Sequence, residues 1–141
     1  MKKIWVVVAD RARGRIFLAT TPKGPLTEIE DLVHPEARAH ERDLTTDRPG
    51  RGPGSHRAMG TANKAHEHEA TNFARELSAR LEAGRVNSDF AKLVLVAAPD
   101  FLGLLRKCLN PNLEKLVARE ITKNLTQLVA QEIRAHLPEY L

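Results

Sequence analysis

Cysteine is nearly absent from this chain. Cys108 stands alone, so no internal disulfide and no cysteine-based metal centre is available. It lies in an apolar run between Leu105 and Leu109, where a core thiol is the commoner outcome than a reactive one. Long hydrophobic stretches are missing too. The chain starts with two lysines and then Ile4-Trp5-Val6-Val7-Val8-Ala9, too short for a signal-peptide core or a membrane span, which leads us to expect a cytoplasmic protein without a membrane partner. Aromatic residues are scarce at 4%, yet 42% hydrophobic and 28% charged residues are ordinary globular values and exclude a disordered or fibrous chain. Acidic residues are missing from one place in particular, the stretch from Arg48 to Lys64.

The 141 residues suit one compact domain, and we find no internal repeat or low-complexity tract. Residues 4 to 10 and 15 to 20 are rich in Val, Ile, Leu and Phe, and Arg11-Ala12-Arg13-Gly14 between them has the length and glycine of a hairpin loop. Turn residues at 21 to 25 precede a third, loosely alternating strand over Leu26 to Val33. From His34 to about Ala62 apolar periodicity disappears among Pro35, Pro49, Gly50, Gly52, Pro53, Gly54 and Gly60, which predicts a long Gly/Pro/Arg-rich loop over 34 to 62.

Phe73, Leu77 and Leu81 recur every four residues, the apolar stripe of a helix from about Lys64 to Ala83 that Gly84 would end. Leu93 to Ala98 reads as a strand buried on both faces, and Pro99-Asp100 opens a short helix to about Leu109. Leu116 to Ile121 fits a last strand, the preferred reading, but Val117 and Ile121 also fit helical spacing. Leu125, Val129, Ile133 and Leu137 predict a final helix capped by Thr126 and stopped by Pro138. The expected fold class is α/β, a single domain over 1 to 141 with a mixed central sheet of about five strands flanked by helices.

The net charge of +4 is modest evidence for a polyanionic partner. Its placement says more. Arg48, Arg51, Arg57 and Lys64 carry four positive charges with no acid between them, and Gly52 and Gly54 let backbone N–H groups approach a phosphate closely. Asp10 and Arg11, at the first hairpin turn, could contribute to a pocket, although an aspartate in a turn commonly just accepts backbone hydrogen bonds. His66 and His68, two apart, face different sides of a helix, and His34, His40 and His56 lie in or beside the loop, so no zinc site is expected. Ser55 and His56 do not make a dyad by adjacency. The apolar run Phe101 to Leu105 is better explained by packing on the sheet than as a partner-binding face.

Four motifs in order, Trp5-Val-Val-Val-Ala-Asp10-Arg11-Ala-Arg-Gly-Arg-Ile-Phe17, Asp47-Arg48-Pro49-Gly50-Arg51, Phe73-Ala74-Arg75-Glu76-Leu77 and Leu95-Val96-Ala97-Ala98-Pro99-Asp100-Phe101-Leu102-Gly103-Leu104-Leu105-Arg106, resemble the bacterial host-attachment protein family across nearly the whole chain. That family is similar in architecture to the middle domain of archaeal and eukaryotic release factors and of Pelota, itself related in shape to ribonuclease-H-like folds, a relation that raises Asp10, Asp43 and Asp47 as a weak candidate for a metal-binding carboxylate set. In the release factors the corresponding loop carries a Gly-Gly-Gln tripeptide whose glutamine positions water for hydrolysis of peptidyl-tRNA. Here the loop reads Gly50-Arg51-Gly52-Pro53-Gly54-Ser55-His56-Arg57, without a glutamine, so no catalytic residue carries over.

The resemblance implies a tRNA, rRNA or ribosome contact without implying ester hydrolysis, and we expect no cofactor and no metal. Two alternatives remain: an ester hydrolase acting on peptidyl-tRNA through another loop residue, and a factor only indirectly required for attachment to host cells.

Overall fold

The computed structural model describes residues 3–34 and 55–141, with side chains of its longest helix described from His68 onward. Asp43, Asp47, Arg48, Arg51, Gly52 and Gly54 lie outside the described residues. The elements run in the order β1 (Ile4–Ala9), β2 (Arg13–Ala19), β3 (Thr27–Val33), α1 (Ser55–Val86), β4 (Lys92–Ala97), α2 (Pro99–Cys108), α3 (Pro111–Leu116), β5 (Val117–Thr122) and α4 (Ala130–Ala135).

The five strands form one sheet in the order β3-β2-β1-β4-β5. β1 pairs antiparallel with β2, and β2 with β3, as expected of two consecutive hairpins. On its other side β1 pairs parallel with β4, and β4 with β5, which the helical crossovers allow. The sheet is therefore mixed, with β1 and β4 at its centre and every residue of β1 buried. Their near-continuous apolar sequences follow from that position, because both faces of these strands are covered. The edge strands β3 and β5 are instead mostly exposed and carry the charges that discourage further strand pairing.

Alternation within β1 divides the core in two. Trp5, Val7 and Ala9 point to one face with Ile16, Leu93 and Leu95, where α1, α2 and α3 supply Phe73, Leu77, Leu81, Phe101, Leu105 and Leu113. Ile4, Val6 and Val8 point to the other face with Phe17, Val94 and Val96, closed by Leu125, Ile133, Leu137 and Leu141 from the C-terminal segment. Phe101, Leu102 and Leu105 are buried here, so that run packs on the sheet. Truncating one of these residues, Leu77 for example, leaves a cavity that costs about 2–5 kcal/mol.

Three boundaries differ from the sequence expectation. α1 starts at Ser55, so residues 55 to 62, expected in the loop, are helical. Ala58, Met59, Ala62, Lys64 and Ala65 are good helix formers, but the apolar periodicity that marks a helix requires a core to face. Gly84 does not end α1, which continues to Val86. Its bare backbone instead admits the Trp5 ring, since a Cβ there would sit 2.5 Å from Trp5 Cη2. The last helix is only Ala130–Ala135, and Thr126 is a fully buried partner of Asp10 and not a helix cap. Leu125 and Leu137 share a spacing with Ile133 because all three pack on the second face, not because one helix holds them.

The expected break at Asn110 is present and also starts α3: the Asn110 side chain accepts a hydrogen bond from the Leu113 N–H at 2.8 Å.

Candidate nucleic-acid interface

α1 is 32 residues long, roughly 48 Å at the helical rise, whereas the six-residue strand β1 covers only about 20 Å. Its direction follows from two close approaches. Gly84 meets Trp5 at the start of β1, while Gly14, paired with Ala9 at the end of β1, meets Leu77 and Phe73. α1 therefore runs antiparallel to β1, and its described buried side chains lie between Ala70 and Leu81. The roughly fifteen residues before Ala70 extend about 22 Å past the edge where β1 and β4 end.

Arg57 and Lys64 belong to that projecting part, and the first turn of α1 contains no acidic residue to offset the helix dipole.

At the same sheet edge, Asp10 and Arg11 go to different neighbours. Asp10 Oδ1 accepts the N–H groups of Ala12 and Arg13 at 2.8 and 2.9 Å, and its Oδ2 accepts the Thr126 hydroxyl at 2.8 Å. This carboxylate shapes the hairpin turn and anchors the C-terminal segment, as aspartates in turns do. Arg11 donates from Nε to Asp100 at the start of α2, and both side chains are largely exposed. The two residues do not converge on one ligand position.

The other hairpin arginines are engaged as well. Arg13 forms a two-pronged pair with Asp31 across the β2–β3 ladder, and that hydrogen bond raises its pKa above the ordinary arginine value. Arg15, buried, pairs with Glu28 through two nitrogens and also donates to the carbonyls of Thr126 and Leu128. Sequence reading missed these roles, although Arg13 and Arg15 on one strand and Glu28 and Asp31 on the next were a visible signal for cross-strand pairs.

Beyond the hairpin, Arg80 binds Glu30 at 2.7 Å and lies over the Trp5 ring, Arg85 binds Glu82, and Arg106 binds Glu120. Arg119 reaches the Tyr140 carbonyl at 3.5 Å. Arg134 donates to the carbonyls of Pro22, Gly24, Pro138 and Glu139, fastening the β2–β3 turn to the C-terminal segment. Among the described side chains, Arg75 is the one arginine without a hydrogen-bond or ion-pair partner.

His34 is also buried, with its ring stacked on Phe73 at 5.0 Å between centroids, and its Nε2 has no hydrogen-bond partner. Among the described residues no three His, Cys, Asp or Glu side chains gather into a metal-binding group, and no helix is long and apolar enough to cross a membrane.

The fold is similar to a solved one. Over 97% of this chain and 35% of the other, it matches the crystal structure of an archaeal translation termination factor, aRF1, with a TM-score of 0.55 and 12% sequence identity. The chain thus spans about a third of that protein's length, and the likeness is one of fold. No curated protein matches the sequence. A family model matches residues 5–137, nearly the whole domain, and by that match the chain belongs to the family described as proteins required for attachment to host cells.

Proposed function

We propose that this chain is a binding module that contacts RNA, in tRNA or in the ribosome, through the basic stretch from Arg48 to Lys64. One observation carries the reading: α1 continues well past the sheet and holds out the end of the chain's acid-free basic segment, while the hairpin arginines are engaged at home. Arg48, Arg51, Arg57 and Lys64 supply the charge for phosphate contacts, and Gly52 and Gly54 permit close backbone approach. The positive end of the α1 dipole favours the same anions. The likeness of fold to a translation termination factor supports a ribosomal setting, and hence work in the cytoplasm, as a prior only.

Without a glutamine in that segment, the reading includes no release-factor type of hydrolysis. A part in host attachment would then be indirect, downstream of an RNA contact.

The test is retention of the purified protein on ribosomes and on total tRNA at low and high salt, against an Arg48, Arg51 and Arg57 to alanine triple variant. Salt-sensitive retention of the wild type, abolished in the variant, is expected, because binding to phosphates releases counterions. No retention of the wild type at low salt would overturn the reading. Turnover of a peptidyl-tRNA analogue by the wild type would replace it with the hydrolase alternative.

A further inference from the structure

A groove of about 650 Å³ lies between α1 and α2, lined among others by Thr71, Arg75, Ser78, Lys107 and Cys108. Two features separate it from the rest of the surface. Arg75 and Lys107 are both exposed, both line the groove, and neither has a partner among the described residues. The nearby carboxylate of Glu82 is already held by Arg85 and Asn110, which keeps its pKa below the usual glutamate range and withdraws it from the two cations. Every other described arginine is engaged, so Arg75 stands out as a charge the fold itself does not use.

Its position on α1 adds to this. Positions 57, 64, 68 and 75 follow one another at intervals of seven, four and seven residues, which at about 100° per residue keeps them in a stripe about 40° wide along the helix. A basic line of sequence positions therefore runs from the projecting end of α1 down to the groove. α1 and α2 run in the same direction, since Phe73 in the second half of α1 meets Phe101 at the start of α2 and Ser78 bonds the Cys108 carbonyl further along both. Both helices thus direct their positive ends toward the sheet edge past which α1 projects.

We infer that the RNA path continues from the Arg48–Lys64 stretch along α1 into the α1–α2 groove, where Arg75 and Lys107 hold a backbone phosphate from its two sides. The inference rests on the RNA reading above and adds a second point of attachment, a phosphodiester bound on the folded body. The groove engages phosphate, so it adds affinity without choosing a base sequence.

The sole cysteine makes the test direct, because Cys108 is half-buried in the same groove. Full-length protein is titrated with tRNA over a range of salt, and alkylation of Cys108 by uncharged iodoacetamide is timed with and without tRNA. Wild type, Arg75→Ala/Lys107→Ala and the charge-keeping Arg75→Lys/Lys107→Arg are compared.

We expect tRNA to slow alkylation severalfold in the wild type and in the charge-keeping variant, and not in the alanine variant. The log–log salt slope of the alanine variant should fall by roughly 0.7 to 0.9 for each phosphate that is no longer neutralised. If the wild type binds, the Arg48/Arg51/Arg57 variant does not, and the alanine variant keeps the wild-type slope and protection, the groove inference is overturned while the RNA reading stands. If the wild type does not bind tRNA or ribosomes at all, both fall.

Discussion

Arg11, Arg13 and Arg15 on the first hairpin and Arg48, Arg51 and Arg57 further along are two groups of three arginines in the sequence that differ in the acids around them. Each hairpin arginine meets an acid, Asp100, Asp31 or Glu28, and Arg15 adds the carbonyls of Thr126 and Leu128. The second cluster follows Asp47 but has no acid from Arg48 to Lys64, and its last member rides on a helix that leaves the body behind. The difference teaches that a count of basic residues says little about partners until the acids that answer them have been located. The first cluster is cross-strand and inter-element glue. The second, with no acid from Arg48 to Lys64, is the one we propose serves a polyanion.

The largest effect should come from the glue. Arg15→Ala strands Glu28 and removes a donor from the Thr126 and Leu128 carbonyls, so we expect a loss of about 3 kcal/mol, read as a lower urea midpoint. Retention on tRNA by the protein that remains folded should not change. An Arg15 variant of normal stability that no longer bound tRNA would reverse the assignment of the two clusters.

Asp10→Ala should cost somewhat less, about 2 kcal/mol, for three hydrogen bonds at the turn and at Thr126, again with RNA retention intact. The Arg48/Arg51/Arg57 triple variant should show the converse, unfolding within about 0.5 kcal/mol of the wild type while its tRNA affinity drops. A large loss of stability in that variant would mean that the second cluster is glue as well.

The smallest effect concerns Glu82, whose pKa is lowered chiefly by its hydrogen bond to Arg85 and further by Asn110. A carboxyl with a depressed folded pKa stabilises above its unfolded value, about 4.3, and loses that contribution as pH falls through the lower folded value. Glu82→Gln should therefore flatten the acid side of the stability profile slightly below about pH 4.3, as followed by thermal melts.

Much of the scaffold was legible because burial and sequence pattern agree there. The apolar runs of β1 and β4 announce central strands, and Phe73, Leu77 and Leu81 announce the face of α1 that meets the sheet. Legibility failed where the reason for a residue lies far along the chain. Thr126 looks like a helix cap until its hydroxyl is seen on Asp10, 116 positions away, and Gly84 looks like a stop until Trp5 occupies the space of its missing side chain. The start of α1 could not be read from periodicity, since its projecting part has no sheet beneath it to impose a stripe. For the site, the acid-free stretch was visible as charge alone. Arg75 was not visible as part of it, because its helical register with positions 57 and 64 appears only once the helix is known to begin at Ser55.

The division of the core into two faces also bears on the order of assembly during synthesis. Ile4, Val6, Val8 and Phe17 emerge first, yet their cover, Leu125, Ile133, Leu137 and Leu141, belongs to the final segment, and Arg134 closes on the turn carbonyls of Pro22 and Gly24 only then. The first hairpin therefore waits through most of translation with one apolar face open. Closing that face is a non-local event, and contacts so far apart in sequence carry the loop-closure cost that slows folding.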